Sequence, residues 1–374
     1  MKLLVAAIVF VLVYAVQRYL FGKYWYRGLD SEVRFSRDYI ECGESAELIE
    51  VITNDKLMPL PVFHLKFSVD KSLMFDDTAN SNVTDLYHKN ELFSMLGHQR
   101  VTRRLTFVGS SRGAFSIKNA SILVRDYFMT DSYAAMLRKG KGDAIYVFPK
   151  KINTDRFELI FRGILGEIEA RQSIVEDSLS FRGIREYQPF DSYRSINWKQ
   201  SAKARDLMVN MYGYTTDSRV KILVNLDNDY MIETNQLLEE AISLASSIAR
   251  RLLDKGVMVS IVTNGVNEDG ELLLPVEEGA ERRHGVTIDR MLTEIESSEG
   301  KDVFLDIIDK ELDDIRSDVL YLVISPYAKV DLLEKLDMIH GADSSVHLLV
   351  PCYDEYPYIP NREYAESWEV PLNV

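Results

Sequence analysis

The residues best suited to recognition chemistry lie between positions 181 and 205, in the run FRGIREYQPFDSYRSINWKQSAKAR. Six basic side chains, Arg182, Arg185, Arg194, Lys199, Lys203 and Arg205, stand there against Glu186 and Asp191 in an otherwise acidic chain. Phe181, Tyr187, Phe190, Tyr193 and Trp198 interleave with them. Guanidinium forks suit carboxylates, phosphates and anionic headgroups, and neighbouring aromatic rings add apolar anchors. The candidate binding residues are therefore Arg182, Arg185, Asp191, Arg194, Trp198 and Lys199. Two readings stand side by side. The segment is a docking surface for an acidic partner, or it is an internal seam in which Arg185 pairs with Asp191 while Trp198 and Tyr187 are buried between domains. Locally, Pro189 before Phe190-Asp191-Ser192 predicts a turn, and residues 196–204 a short helix.

Catalytic chemistry finds little support. The sequence holds no Walker loop, HExxH, CxxC or nucleophile elbow. Cys42 and Cys352 are too far apart for a metal-ligand spacing, and His64, His88 and His98 are scattered. The reading is a non-enzymatic protein without a cofactor. The alternative is a carboxylate-dependent hydrolase of the cell envelope, which needs two acids brought together in a pocket with separated pKa values. A net charge of −14 argues against nucleic acid as a partner, because phosphate neutralisation needs a basic footprint.

The elements that must position these residues fall into four stretches. Residues 1–21 form an expected transmembrane anchor: residues 3–16 are apolar or Tyr, and Tyr19, Tyr24, Trp25 and Tyr26 follow where an interfacial aromatic belt belongs. No small-x-small cleavage site follows the run, which favours an uncleaved anchor over a signal peptide, and a buried core helix is the plain alternative. Lys2 on one side against Arg18, Lys23 and Arg27 on the other places the bulk of the chain in the cytoplasm as a single-pass protein of the cell membrane. Residues 22–148 carry short β-branched and aromatic runs at 46–53, 62–69, 100–108, 115–124 and 144–148, separated by Gly, Pro and Asn-Asp, and predict an all-β, immunoglobulin-like sandwich. Residues 149–215 are the segment linking the domains. From 216 to 374 strands and helices alternate: strands at 220–226, 257–263, 271–276, 319–324 and 346–350, and helices at 237–254, 288–296, 303–315 and 330–339. This predicts a doubly wound α/β domain with its functional edge at the C-terminal ends of the strands.

The run REYQPFDSYRSINWKQSAKARDLMV resembles the signature of a bacterial family, domain of unknown function 58 (DUF58), whose usual form is close to REYxPGDDxRxIDWKxSARxxxLxV. Arg185, Glu186, Tyr187, Pro189, Asp191, Arg194, Ile196, Trp198, Lys199, Ser201, Ala202, Leu207 and Val209 match; Phe190, Ser192, Asn197 and Lys203 depart. The resemblance implies an N-terminal membrane helix, a β-rich segment and a von Willebrand factor A-like end. It also implies a protein partner, a MoxR-type AAA ATPase, and a scaffold or adaptor role in a cell-envelope-related process. A domain of that kind suggests a metal-dependent adhesion site, Asp-x-Ser-x-Ser after its first strand. Here those places hold Asp227, Asp229 and Met231, and a thioether does not replace a hard oxygen ligand. No metal is expected, and Asp227 and Asp229 are the only weak candidates.

Overall fold

The computed structural model describes residues 2–76, 81–83, 86–138, 140–172, 176–188, 193–214, 218–227, 235–297, 303–326, 328–342, 345–353 and 361–371; the side chains at 81–83, 170–172, 176–182, 194 and 211–214 lie outside the description. The chain divides into two units, Met1–Lys150 and Lys151–Val374.

A run free of Gly and Pro up to Leu20 forms helix α1 (Lys2–Tyr24), apolar around its whole circumference and exposed except near its C-terminal end, where Phe21 is fully buried. Among the described residues it is the one helix long and apolar enough to cross a membrane. Gly28 takes a left-handed φ of 65° and turns the chain into the sheets. Strands β1 (Leu29–Phe35), β2 (Tyr39–Glu41), β3 (Ser45–Asn54), β4 (Leu60–Asp70), β5 (Leu73–Phe75), β6 (Ser81–Val83), β7 (Leu86–Met95), β8 (Gln99–Gly109), β9 (Gly113–Ser116), β10 (Lys118–Arg125), β11 (Ser132–Met136) and β12 (Ala144–Phe148) follow. They build a sheet β1-β3-β8-β5, a facing sheet β11-β10-β4-β7-β6, and a small third sheet β2-β12-β9. Alternate residues of the first two meet in one core: Leu48, Ile52, Leu105 and Phe107 from one face, Phe63, Leu65, Phe67 and Val124 from the other. That is the expected β-sandwich.

Its interior carries charge. Glu50 on β3, Arg103 opposite it on β8, and Lys89 and Glu91 on β7 all occupy inward positions of the alternation. Lys89 Nζ lies 3.2 Å from Glu91 Oε1, and Arg103 pairs with Glu91 Oε2. Glu50 is 1% exposed, and among the described residues neither of its oxygens has a hydrogen-bond partner. Burial, with the nearby Glu91 charge, pushes its carboxyl up to about 7 against the opposing pull of Arg103 and Lys89.

The second unit comprises α2 (Asp155–Gln172), β13 (Glu176–Glu186), a 3₁₀ turn at Tyr193–Ser195, α3 (Trp198–Ala204), β14 (Met208–Tyr214), β15 (Arg219–Val224), α4 (Asn235–Asp254), β16 (Met258–Thr263), β17 (Val276–Gly279), α5 (Arg282–Glu294), α6 (Val303–Asp313), β18 (Val319–Ile324), α7 (Val330–Gly341), β19 (Ser345–Cys352) and β20 (Ala365–Glu369). Six strands form a sheet ordered β17-β16-β15-β18-β19-β20, parallel except for β17. Val220, Ile222 and Val224 of β15 pack with α2, α4 and α5; Leu223, with Tyr321 and Val323 of β18, packs with α6 and α7. Both faces are covered, as the near-continuous apolar strands require.

Helix α2 corrects the reading of residues 149–215 as a linking segment. Its face Phe157, Ile160, Phe161, Ile164 and Ile168 belongs to the same core as β15 and α4. Polar ties fasten it. Arg156 donates to Ser367 O at 2.7 Å, Glu158 pairs with Arg251 at 2.6 Å, and His347 of β19 lies between Glu167 of α2 (3.5 Å) and Glu366 of β20 (3.6 Å). Burial opposes charging that imidazole, but the two carboxylates prevail and push it up to about 9. Two further differences concern the sheet edges. The edge strand expected at 271–276 forms later, as β17, and β20 has no counterpart in the sequence reading.

Candidate functional site

The basic-aromatic segment folds as an antiparallel hairpin, β13 against β14, with the 3₁₀ turn and α3 mounted between its strands. Short-range polar bonds fix that mount. Asn197 caps α3, its Oδ1 accepting from Gln200 N at 3.0 Å, while its Nδ2 donates to Asn210 Oδ1 on β14 at 2.7 Å. Ser201 Oγ donates to Asn197 O at 2.8 Å and accepts from Met208 N at 2.8 Å, stitching the helix to the strand. Ile196 bridges to Val209 and both are buried. Arg205 ends α3 in the left-handed conformation with φ 61°, its N–H returning to Ser201 O. The family's usual Asp at 197 could cap the helix equally well but could not donate to Asn210, so this departure comes with its own partner.

This scaffold presents Tyr193, Trp198 and Lys199 outward. Trp198 and Lys199 sit in the first turn of α3, with Trp198 68% exposed. Tyr193 is 77% exposed and its ring stacks with that of Tyr187 at 6.1 Å. Arg185 lies on β13 opposite Val209, half-buried, and donates to Glu186 O at 3.0 Å. Arg182 is on β13 and Arg194 in the 3₁₀ turn, both with side chains outside the description. Asp191 and the turn at Pro189 lie outside the described residues, so the Arg185–Asp191 pair does too. Asn197, Asn210 and the bracing role of Ser201 were missed by sequence reasoning, since their partners, backbone atoms for Ser201 and each other's side chains for the two asparagines, lie several residues away. The match at Ser201 was the only signal.

A second polar cluster lies at the C-terminal edge of the parallel sheet, where the strand order reverses between β15 and β18. Asn225, Asp227, Asn264 and Ser325 are all buried there. Leu226 N donates to Asn264 Oδ1 at 2.8 Å, which fixes the amide orientation and turns Asn264 Nδ2 toward Asp227 Oδ1 at 2.6 Å. Asn225 Oδ1 accepts from Asp227 N at 2.9 Å, and its Nδ2 donates to Ser325 Oγ at 3.0 Å. A divalent cation beside that oxygen of Asp227 would meet the amide hydrogens of Asn264. Asp229 and Met231 lie outside the described residues.

Residues 183–354 match the family model described as "Protein of unknown function DUF58", a span that takes in most of the hairpin and the sheet as far as β19. This bears out the resemblance carried by the 185–209 signature. No curated protein matches the chain. Among solved structures, the chain is similar to the CARDB domain of the PF1109 protein from Pyrococcus furiosus, at 14% identity over 32% of this chain and 87% of that one, with a TM-score of 0.20. It is similar also to a cohesin module from a Clostridium perfringens family 33 glycoside hydrolase (9% identity, 32% and 96% covered, TM-score 0.22). A non-cellulosomal cohesin from Archaeoglobus fulgidus gives 12% identity, 34% and 94% covered, and a TM-score of 0.22. Likenesses this weak say nothing of what the chain does.

Proposed function

We propose that this protein is a membrane-anchored, non-enzymatic adaptor that receives an acidic protein partner on the hairpin carrying Trp198 and Lys199. The observation that carries the reading is the exposure of Trp198 on a helix braced at Asn197 and Ser201: a large aromatic held rigidly in water beside lysines is the composition of an interface centre. The family resemblance makes a MoxR-type AAA ATPase the leading partner, in a cell-envelope-related process. The sheet order, with β15 central and β17 antiparallel at one edge, supports a von Willebrand factor A-like reading of the second unit. A binding rather than catalytic role is supported by the place of Glu50: the carboxyl pushed up to about 7 sits inside the sandwich beside Lys89 and Arg103, not in an open cleft. The burial of Phe21 in the sandwich core favours a retained anchor over a cleaved signal sequence. The charge bias around α1 supports a cytoplasmic side for the two units.

The test is direct binding of a purified MoxR-type ATPase from the same cells to the full chain in lipid nanodiscs. The Trp198→Ala, Lys199→Glu variant is expected to lose at least tenfold in affinity while melting at the parental temperature, a loss of at least about 1.4 kcal/mol. Undiminished binding by a folded variant removes the hairpin from the interface.

A further inference from the structure

The turn between β10 and β11 runs back along α1. The Phe128 ring lies 5.8 Å from Phe10 and 5.7 Å from Tyr14, and Tyr127 lies 5.5 Å from the buried Phe21. Polar contacts line the same path: Tyr14 OH donates to Thr130 Oγ1 at 3.2 Å, and Arg18 Nε lies 2.7 Å from Asp131 Oδ2. Tyr127, Phe128 and Met129 nevertheless keep large exposed surfaces, Met129 the most at 60%. From this arrangement we infer that the Tyr127–Phe128–Met129 tip inserts into the lipid bilayer beside α1, a second membrane contact made by the sandwich itself. The inference rests on the reading of α1 as a membrane anchor.

Helix length makes the argument. With about 1.5 Å of rise per residue, α1 is about 34 Å long, against a hydrocarbon core of about 30 Å. Phe21 is embedded in the sandwich, which leaves residues 2–20, about 28 Å, to cross the membrane. All of that length is needed. Phe10 lies about 16 Å along the helix from Phe21, well within the apolar layer, and Phe128 is packed against it. Were the tip held in water, only the turns before Phe10, about 12 Å of helix, would remain to span the core.

The turn is built for such a place. Backbone groups in lipid must find partners within the protein. Here the buried Asp126 carboxylate accepts from Thr130 N at 2.7 Å, Asp131 N at 3.1 Å and Thr130 Oγ1 at 2.8 Å, and Met129 N donates to Asp126 O at 3.0 Å. Neighbouring loops continue the apolar rim. Leu57 and Leu96 are exposed at the same end of the sandwich, in loops tied together by Asn54 Nδ2, which donates to Met58 O at 3.0 Å and Leu96 O at 2.9 Å. Lys56 Nζ joins that end to the helix by donating to Trp25 O at 2.7 Å, and Trp25 with Tyr26 supplies interfacial aromatics.

Spin labels on the full chain, reconstituted in phosphatidylcholine–phosphatidylglycerol vesicles, test this. Single cysteines replace Met129, Val9 on α1 and Met136 at the far end of β11, in a Cys42→Ser background; Cys352 is buried, and the unsubstituted background gives the residual signal. Label collisions with oxygen, which partitions into lipid, are compared with those of a water-soluble nickel complex. At Val9 and Met129 the nickel collisions are expected to be lost and the oxygen collisions to rise, with the reverse at Met136. A lipid signature at Val9 with a water signature at Met129 overturns the tip insertion and leaves the anchor standing. Water signatures at both overturn the anchor reading, and the insertion with it.

Discussion

A single carboxyl, Glu50, stands out among the residues of the first unit because its position in the strand alternation is an apolar one. It follows Ala46 and Leu48 and precedes Ile52 on the inward face of β3, where burial holds it up to about 7. A carboxyl whose folded pKa lies above its ordinary value binds its proton more tightly in the folded state. Stability is therefore greatest below pH 4.5 as far as this group is concerned, and falls as pH rises through about 7. The whole shift corresponds to about 3 kcal/mol. Glu50→Gln, which keeps the shape and removes the charge, is expected to leave the melting temperature of the first unit little changed at pH 5 and to raise it by several degrees at pH 8.5. A variant equally stabilised or destabilised at both pH values would show that Glu50 is neutral, or fully charged, throughout that range. Lys89 and Arg103 both pair with Glu91, so each keeps a carboxylate contact when Glu50 becomes Gln.

At the scale of elements, the decisive feature is the mounting of α3 on its hairpin. A helix this short is not stable by itself, and its conformation depends on the Asn197 cap and the Ser201 stitch. Asn197→Ala removes the cap and leaves Asn210 without that donor, a loss of about 1 kcal/mol. Hydrogen exchange at Gln200 and Ser201 amides is expected to quicken roughly fivefold, with the β15 amides unaffected, and unchanged exchange would mean the hairpin alone holds α3. How far such elements can be read in advance depends on where the apolar residues fall. The strands around 46–53, 62–69 and 319–324 were legible because β-branched and aromatic residues mark them. β7 was not, since its inward positions include Lys89 and Glu91, which inverts the expected alternation. β20, AESWE, has Trp368 as its one large apolar residue, and α2 hides in a stretch whose mean polarity masks the 157-160-161-164-168 face. Of the site, the basic-aromatic composition was visible, but the bonds that aim Trp198 outward join atoms whose proximity only folding creates.

At the scale of the whole molecule, the core of the first unit and the core layers on the two faces of the second unit's sheet draw on separate stretches of the chain. The side chains of the sandwich core run from Phe21 to Val147, and those of the α/β core begin at Ile152; among the described residues none belongs to both. Each core also has its own buried titrating group, Glu50 in one and His347 in the other, so pH can be used to tell them apart. His347, held between Glu167 and Glu366, binds its proton more tightly folded than unfolded. The stability it contributes is fully present below pH 6.5 and lost as pH rises through about 9. Both carboxylates are partly open to solvent, which screens the pair, so the contribution is on the order of 1 to 2 kcal/mol. Calorimetry of the full chain in nanodiscs is expected to show two transitions. His347→Gln should lower one of them at pH 6, with the difference closing above pH 9, while Glu50→Gln moves only the other, by an amount that grows as pH rises from 4.5 to about 7 and then stays level. One transition displaced by both variants would mean that the cores unfold together, so that a partner gripping the hairpin would stabilise the sandwich as well. Two independent transitions would mean that a partner gripping the hairpin stabilises the α/β unit alone.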